Sequence, residues 1–132
     1  MKEWIAGDPA SYRGKVVGNG HCVAYVREAT GLGHTSTWRR GQRARDGGFM
    51  IGTAIATFDA AGRYENDTSG RSHAAILVGA DPIGLLVWDQ WLTHPVQMRT
   101  IRYRGGTGSP INDGDAFYAI STEEPETARA AA

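Results

Sequence analysis

The spacing of apolar side chains along the chain changes character near residue 51. Upstream, Cys22, Tyr25, Val26 and Ala29 recur at i, i+3, i+4 and i+7 after the turn signal Asn19-Gly20, which predicts a helix over 21–30 that Gly31 and Gly33 stop. Residues 8–20 mix Asp8, Pro9 and several turn formers and read as a short turn or helix entry followed by a loop. Residues 35–46 carry Ser and Thr before Trp38 and a polar run after it, so a second short helix is expected there, closed by Gly47-Gly48.

Downstream the period becomes two, and five runs read as strands: 53–58 (TAIATF), 73–78 (HAAILV), 85–91 (LLVWDQW), 98–103 (MRTIRY) and 115–120 (DAFYAI). The links at 79–84 and 92–97 are short enough for hairpins, so these neighbours run antiparallel. Helices first and a meander afterwards predict an α+β fold with N-terminal helices packed on one face of an antiparallel sheet. No repeat with a period of about 20 to 50 residues is visible. Residues 1–122 are expected to form a single domain, and 123–132, with Pro125 and no apolar periodicity, a solvated or disordered tail.

Composition narrows the classes. A chain of 132 residues can bury a core without a metal or disulfide staple. Fourteen basic residues balance fourteen acidic ones, which argues against generic nucleic-acid binding. No apolar run approaches the roughly 18 residues of a membrane span, so no membrane insertion is expected. The opening MKEWIAGDPASYRGK lacks the apolar stretch of a secretory signal, and synthesis in the cytoplasm is the expectation. Gly18-x-Gly20 lacks the third glycine of a dinucleotide fingerprint. Arg39, Arg40, Arg43 and Arg45 read as a solvated basic helix face. The histidines have no zinc spacing, and with one cysteine no metal or other cofactor is expected.

That cysteine is the first candidate for chemistry. Cys22 sits at the start of the predicted helix, where unpaired N–H groups favour a thiolate and an oxyanion formed beside it. A lone cysteine on an apolar helix face also reads as a small buried hydrophobe. His73, at the mouth of a strand, is placed to act as a base, with His21, His34 and His94 the weaker alternatives. Asp89, one hairpin on, is placed to orient that imidazole, and Gln90 points to the opposite face unless a bulge intervenes. Trp88, Trp91, Tyr103 and Phe117 are candidates for a groove, although aromatics at strand period are more often core.

The segments Gly-His-Cys-Val-Ala-Tyr-Val at 20–26, Gly-Arg-Ser-His-Ala-Ala-Ile at 70–76 and Val-Trp-Asp-Gln-Trp at 87–91 resemble the catalytic core of the NlpC/P60 and CHAP superfamily of peptidoglycan hydrolases. More narrowly, 18–120 is similar to the small cysteine amidase effectors of type VI secretion, in the groups that cut the peptide crosslink. The resemblance implies a papain-like fold and a Cys22, His73, Asp89 triad. Asn19, His21, Gln90 and Trp91 then become candidates for substrate contact. The implied partners are peptidoglycan stem peptides, a cognate immunity protein and the type VI secretion apparatus, with action in the periplasm of a target bacterium. His21 stands where CHAP proteins carry Gln, and Asp89-Gln90-Trp91 stands where they carry Glu-x-Asn. Two other readings share the fold: a wall-binding or partner-binding module with an inert Cys22, and a protein glutamine deamidase or transglutaminase.

Overall fold

A computed structural model describes residues 2–67 and 69–123. It contains one α-helix, α1 (Cys22–Thr30), and six strands: β1 (Arg39–Arg43), β2 (Ala54–Thr57), β3 (Ala74–Ala80), β4 (Gly84–Trp91), β5 (His94–Arg102) and β6 (Phe117–Ser121). The strands form one sheet in the order β1-β6-β2-β3-β4-β5. Every pairing is antiparallel. The expected α+β class therefore holds, with a single α-helix among the described residues rather than several. The predicted tail, apart from its first residue, lies outside the described residues.

α1 forms because its apolar stripe has a sheet to cover. Tyr25 and Val26 are fully buried against Ala54, Ala56, Ala74, Ile76, Trp88 and Ile120. The alanines on β2 and β3 keep that face low enough for the helix to settle on it, chiefly over β3 and β4. Burying a side chain such as Val26 stabilises the fold by about 1.5–3 kcal/mol. Gly31, in the left-handed conformation at φ 82°, ends the helix and donates its N–H to the Arg27 carbonyl. On the other face Ile55, Ala75, Leu77, Leu85, Val87, Ile101 and Phe117 form a second cluster. Short 3-10 turns at Ala44–Asp46 and Gly114–Ala116 stand beside it.

The segment expected as a second helix is a 3-10 turn followed by β1. Arg-Arg-Gly-Gln-Arg has no strand propensity of its own, and its pairing with β6 imposes the conformation. Its arginines are engaged rather than simply solvated: Arg43 pairs with Asp46 at 2.7 Å, and Arg45 with Asp115 at 2.8 Å while lying over the Tyr103 ring. The 92–97 link is in fact a tight turn, with Thr93 at φ 76° and β5 beginning at His94. Pro95 is tolerated because β5 is the last strand of the sheet.

Neither outer strand is left bare. Val96 of β5 exchanges backbone hydrogen bonds with Gly14 and Lys15, at 2.8 and 3.0 Å. On β1, Arg39 bridges Arg63 and the Arg40 N–H donates to the Gly62 carbonyl at 2.9 Å.

Candidate active site

Cys22 is the first residue of α1, and no side chain caps the helix at His21. The N–H groups of the first helical turn, where the helix dipole is positive, therefore lie beside the thiol. The loop leading in is shaped by Gly18 at φ 56°, where an added Cβ would come within 2.9 Å of the Ala24 Cβ. Gln90 then ties the loop down: its Nε2 donates to the carbonyls of Val17 and His21 at 2.9 and 2.8 Å, and its Oε1 accepts from the Val17 N–H at 2.9 Å. The Tyr64 hydroxyl lies 3.7 Å from the Cys22 Sγ. Tyr64 is itself wedged against Trp38 and Phe58, with ring centroids 5.0 and 6.4 Å away.

Across from the thiol, His73 immediately precedes β3. Its N–H donates to the Thr57 Oγ1 and its carbonyl accepts from the Thr57 N–H, both at 3.0 Å, which fixes it to the end of β2. The His73 Nε2 meets the Asp89 Oδ2 at 2.8 Å, leaving Nδ1 as the ring nitrogen for the thiol. The rings of Trp91 and Phe117, each 6.3 Å away by centroid, hold the imidazole edge-on. Asp89 is fully buried and also receives Arg99, whose Nε lies 3.1 and 2.9 Å from the two carboxylate oxygens and whose Nη2 lies 2.8 Å from Oδ2.

The charges follow from this packing. Burial opposes ionisation of Cys22, but the hydrogen bond and positive charge of His73, the Ala74 N–H and the Tyr64 hydroxyl outweigh it and hold the thiol below its ordinary value. Burial also opposes a charged His73, yet Asp89 and Cys22 push it up to about 9. Burial raises Asp89, while His73 and Arg99 together hold it below the usual carboxylate range. Burial and the neighbouring Cys22 push Tyr64 upward, so it stays an O–H donor. These shifts favour a thiolate–imidazolium pair backed by a carboxylate over the neutral thiol and imidazole.

A cleft of about 620 Å³ opens over these groups. Of the residues expected at the substrate, Asn19, His21 and Trp91 line it. The Asn19 Oδ1 accepts from the His21 N–H at 3.1 Å, and Trp91 stacks on His94 at 3.8 Å. Gln90 does not line the cleft; it faces the opposite side of β4 from Asp89 and its amide is used up on the loop before α1. Among the aromatic groove candidates only Trp91 reaches the cleft, whereas Trp88 and Phe117 are core. His34 lines the cleft elsewhere, with its Nδ1 occupied by Ser36. Tyr64 and Arg99 escaped the sequence reading because one lies in an aperiodic loop and the other looks like an ordinary solvent-facing strand residue. Among the described residues no group of three or more His, Cys, Asp or Glu could hold a metal ion, and no helix is long and apolar enough to cross a membrane.

A thiol at a helix start, an imidazole facing it and a buried carboxylate behind make an arrangement suited to acyl transfer from an amide. Comparison with known proteins agrees on the class. The family model described as Domesticated amidase effector 2 matches residues 2–120. The chain is 41% identical over 121 residues to Domesticated amidase effector 2 of Ixodes scapularis, covering 86% of this chain and 81% of that protein. It is 43% identical over 104 residues to the type VI secretion amidase effector 2 protein of Salmonella typhi, covering 74% and 76%. A solved structure, type 6 secretion amidase effector 2 (Tae2), superposes with a TM-score of 0.79 at 29% identity, over 93% of this chain and 97% of that one. The chain belongs to the Domesticated amidase effector 2 family, and the expected kinship with the type VI secretion amidase effectors is borne out.

Proposed function

We propose that this chain hydrolyses an amide in the stem peptides of peptidoglycan, at the crosslink, with Cys22 as nucleophile, His73 as base and Asp89 orienting the imidazole. The observation that carries the reading is the meeting of a helix-start thiol with a histidine already bonded to a buried carboxylate. The Cys22 sulfur attacks the scissile carbonyl carbon, and the electron pair moves onto its oxygen. In this reading the Cys22 backbone N–H and the Tyr64 hydroxyl hold that oxyanion, the latter supported by its 3.7 Å approach to the sulfur. The imidazolium then gives its proton to the leaving amine as the C–N bond breaks, leaving a thioester. A water, deprotonated by His73, attacks the thioester and releases the acid and the Cys22 thiolate. No step needs a cofactor.

The order of thiol and imidazole in the chain, with the helix start against the strand, supports placing the site in the papain-like NlpC/P60 and CHAP class, on a catalytic domain spanning 1–122. The names of two relatives support delivery by a type VI secretion apparatus. The same reading has the chain act in a target cell's periplasm, with a cognate immunity protein closing the cleft in the producer. The cleft volume suits a branched oligopeptide. Incubating purified sacculi with the protein should release muropeptides whose masses identify the cut, with the rate falling on the alkaline side as pH rises through about 9. Cys22→Ala should lower release by about 10⁴-fold or more. Digestion at the wild-type rate by that variant overturns the reading.

A further inference from the structure

The carboxylate behind the imidazole has a second cationic partner that the reaction scheme leaves unused. Asp89 is fully buried, and its Oδ2 takes the His73 Nε2, the Arg99 Nε and the Arg99 Nη2, all within 2.9 Å. Arg99 is two residues beyond Gln97, the register partner of Asp89 on β5, and so reaches the carboxylate diagonally along one face of the sheet. It is steadied by Trp91, whose ring centroid lies 5.0 Å from the guanidinium carbon, and its side chain is only 28% exposed. A surface ion pair would leave such a side chain mostly in water and matter little. This one is forked, stacked and directed at a buried anion that itself touches the base.

We infer that Arg99 is a positioning residue of the site: its forked guanidinium aims Asp89 at His73 and offsets the carboxylate's charge, and so sets the pH range over which the thiolate–imidazolium pair exists. The inference rests on the roles given above to Cys22, His73 and Asp89. The charged and titratable groups that bear on the network are few. Asp89 is faced by His73 before β3, Arg99 on β5 and Tyr25 on α1, while Cys22 is faced by His73 and Tyr64. Arg99 contributes one fixed positive charge among them. Removing it makes proton binding more favourable at each of the remaining groups, so both limbs of a pH profile move upward.

The test measures two quantities across pH for the wild type, Arg99→Met, Arg99→Gln and Arg99→Lys. One is kcat/KM for muropeptide release, and the other is the alkylation rate of Cys22, the chain's only cysteine, by iodoacetamide. The two neutral variants should shift the limbs of hydrolysis and the lower step of alkylation upward by about one pH unit. Arg99→Gln retains an N–H for the carboxylate, so it serves if Arg99→Met folds poorly by circular dichroism. Arg99→Lys should return the limbs to their wild-type positions with a few-fold lower plateau. Limbs that stay in place in both neutral variants while only the plateau or the melting temperature falls reduce Arg99 to a structural strut and overturn the inference. A shift in Arg99→Lys as large as in Arg99→Met overturns it too. Alkylation needs no wall substrate, so a shifted alkylation step with no muropeptide release from the wild type leaves the inference standing and removes the proposed function instead.

Discussion

His73 and Arg99 line the cleft and Asp89 is buried behind them, the three standing on consecutive strands or their ends, and the spacing between them is set by backbone ladders that any sequence of suitable shape would form. Cys22 arrives differently, at the end of a loop that turns through Gly18 and Gly20 and is held by the side chain of Gln90. The acid–base half thus inherits its geometry from the sheet. The thiol half depends on a few individual bonds and one backbone conformation, so a single substitution can displace the nucleophile while leaving its partners in register.

That contrast can be broken at either end. The largest effect is expected from Asp89→Asn, which leaves the ladders intact but removes the charge that orients and supports the imidazole. Turnover should fall by about 10²-fold or more, with the far-ultraviolet circular dichroism unchanged. Near-wild-type turnover would mean that Thr57 and the aromatic rings hold His73 without the carboxylate. On the thiol side, Gln90→Leu keeps the volume and loses three hydrogen bonds, so stability should drop by about 1–3 kcal/mol. Slower alkylation of Cys22 should accompany the lower melting temperature, and unchanged alkylation would show that the loop holds itself. The smallest effect belongs to Gly18→Ala, which places a side chain at φ 56° and against Ala24. A loss of about 1–2 kcal/mol in a denaturant melt is expected, and a neutral outcome would mean that the loop relaxes without moving the thiol.

The sequence is legible where a periodic pattern meets a local signal. Cys22, Tyr25, Val26 and Ala29 announce α1, and the alternation through Leu85, Val87 and Asp89 correctly separates Asp89 from Gln90 on β4. β1 is not legible because its strand state comes from β6, some eighty residues away, and nothing in Arg-Arg-Gly-Gln-Arg encodes that pairing. Arg99 and Tyr64 were illegible for a related reason: their importance lies in which atoms they meet, and neither alternation nor turn chemistry predicts a diagonal cross-strand fork or a loop tyrosine folded over a thiol.

The bonds that Gly14, Lys15, Gly62 and Arg63 make to the two outermost strands carry a consequence beyond the cleft. A bare strand margin offers donors and acceptors on which a second molecule can crystallise its own backbone, the first step toward fibres. Here parts of both margins are already satisfied from within the same chain. Copies crowded together therefore meet at those points a hemmed border rather than an open template.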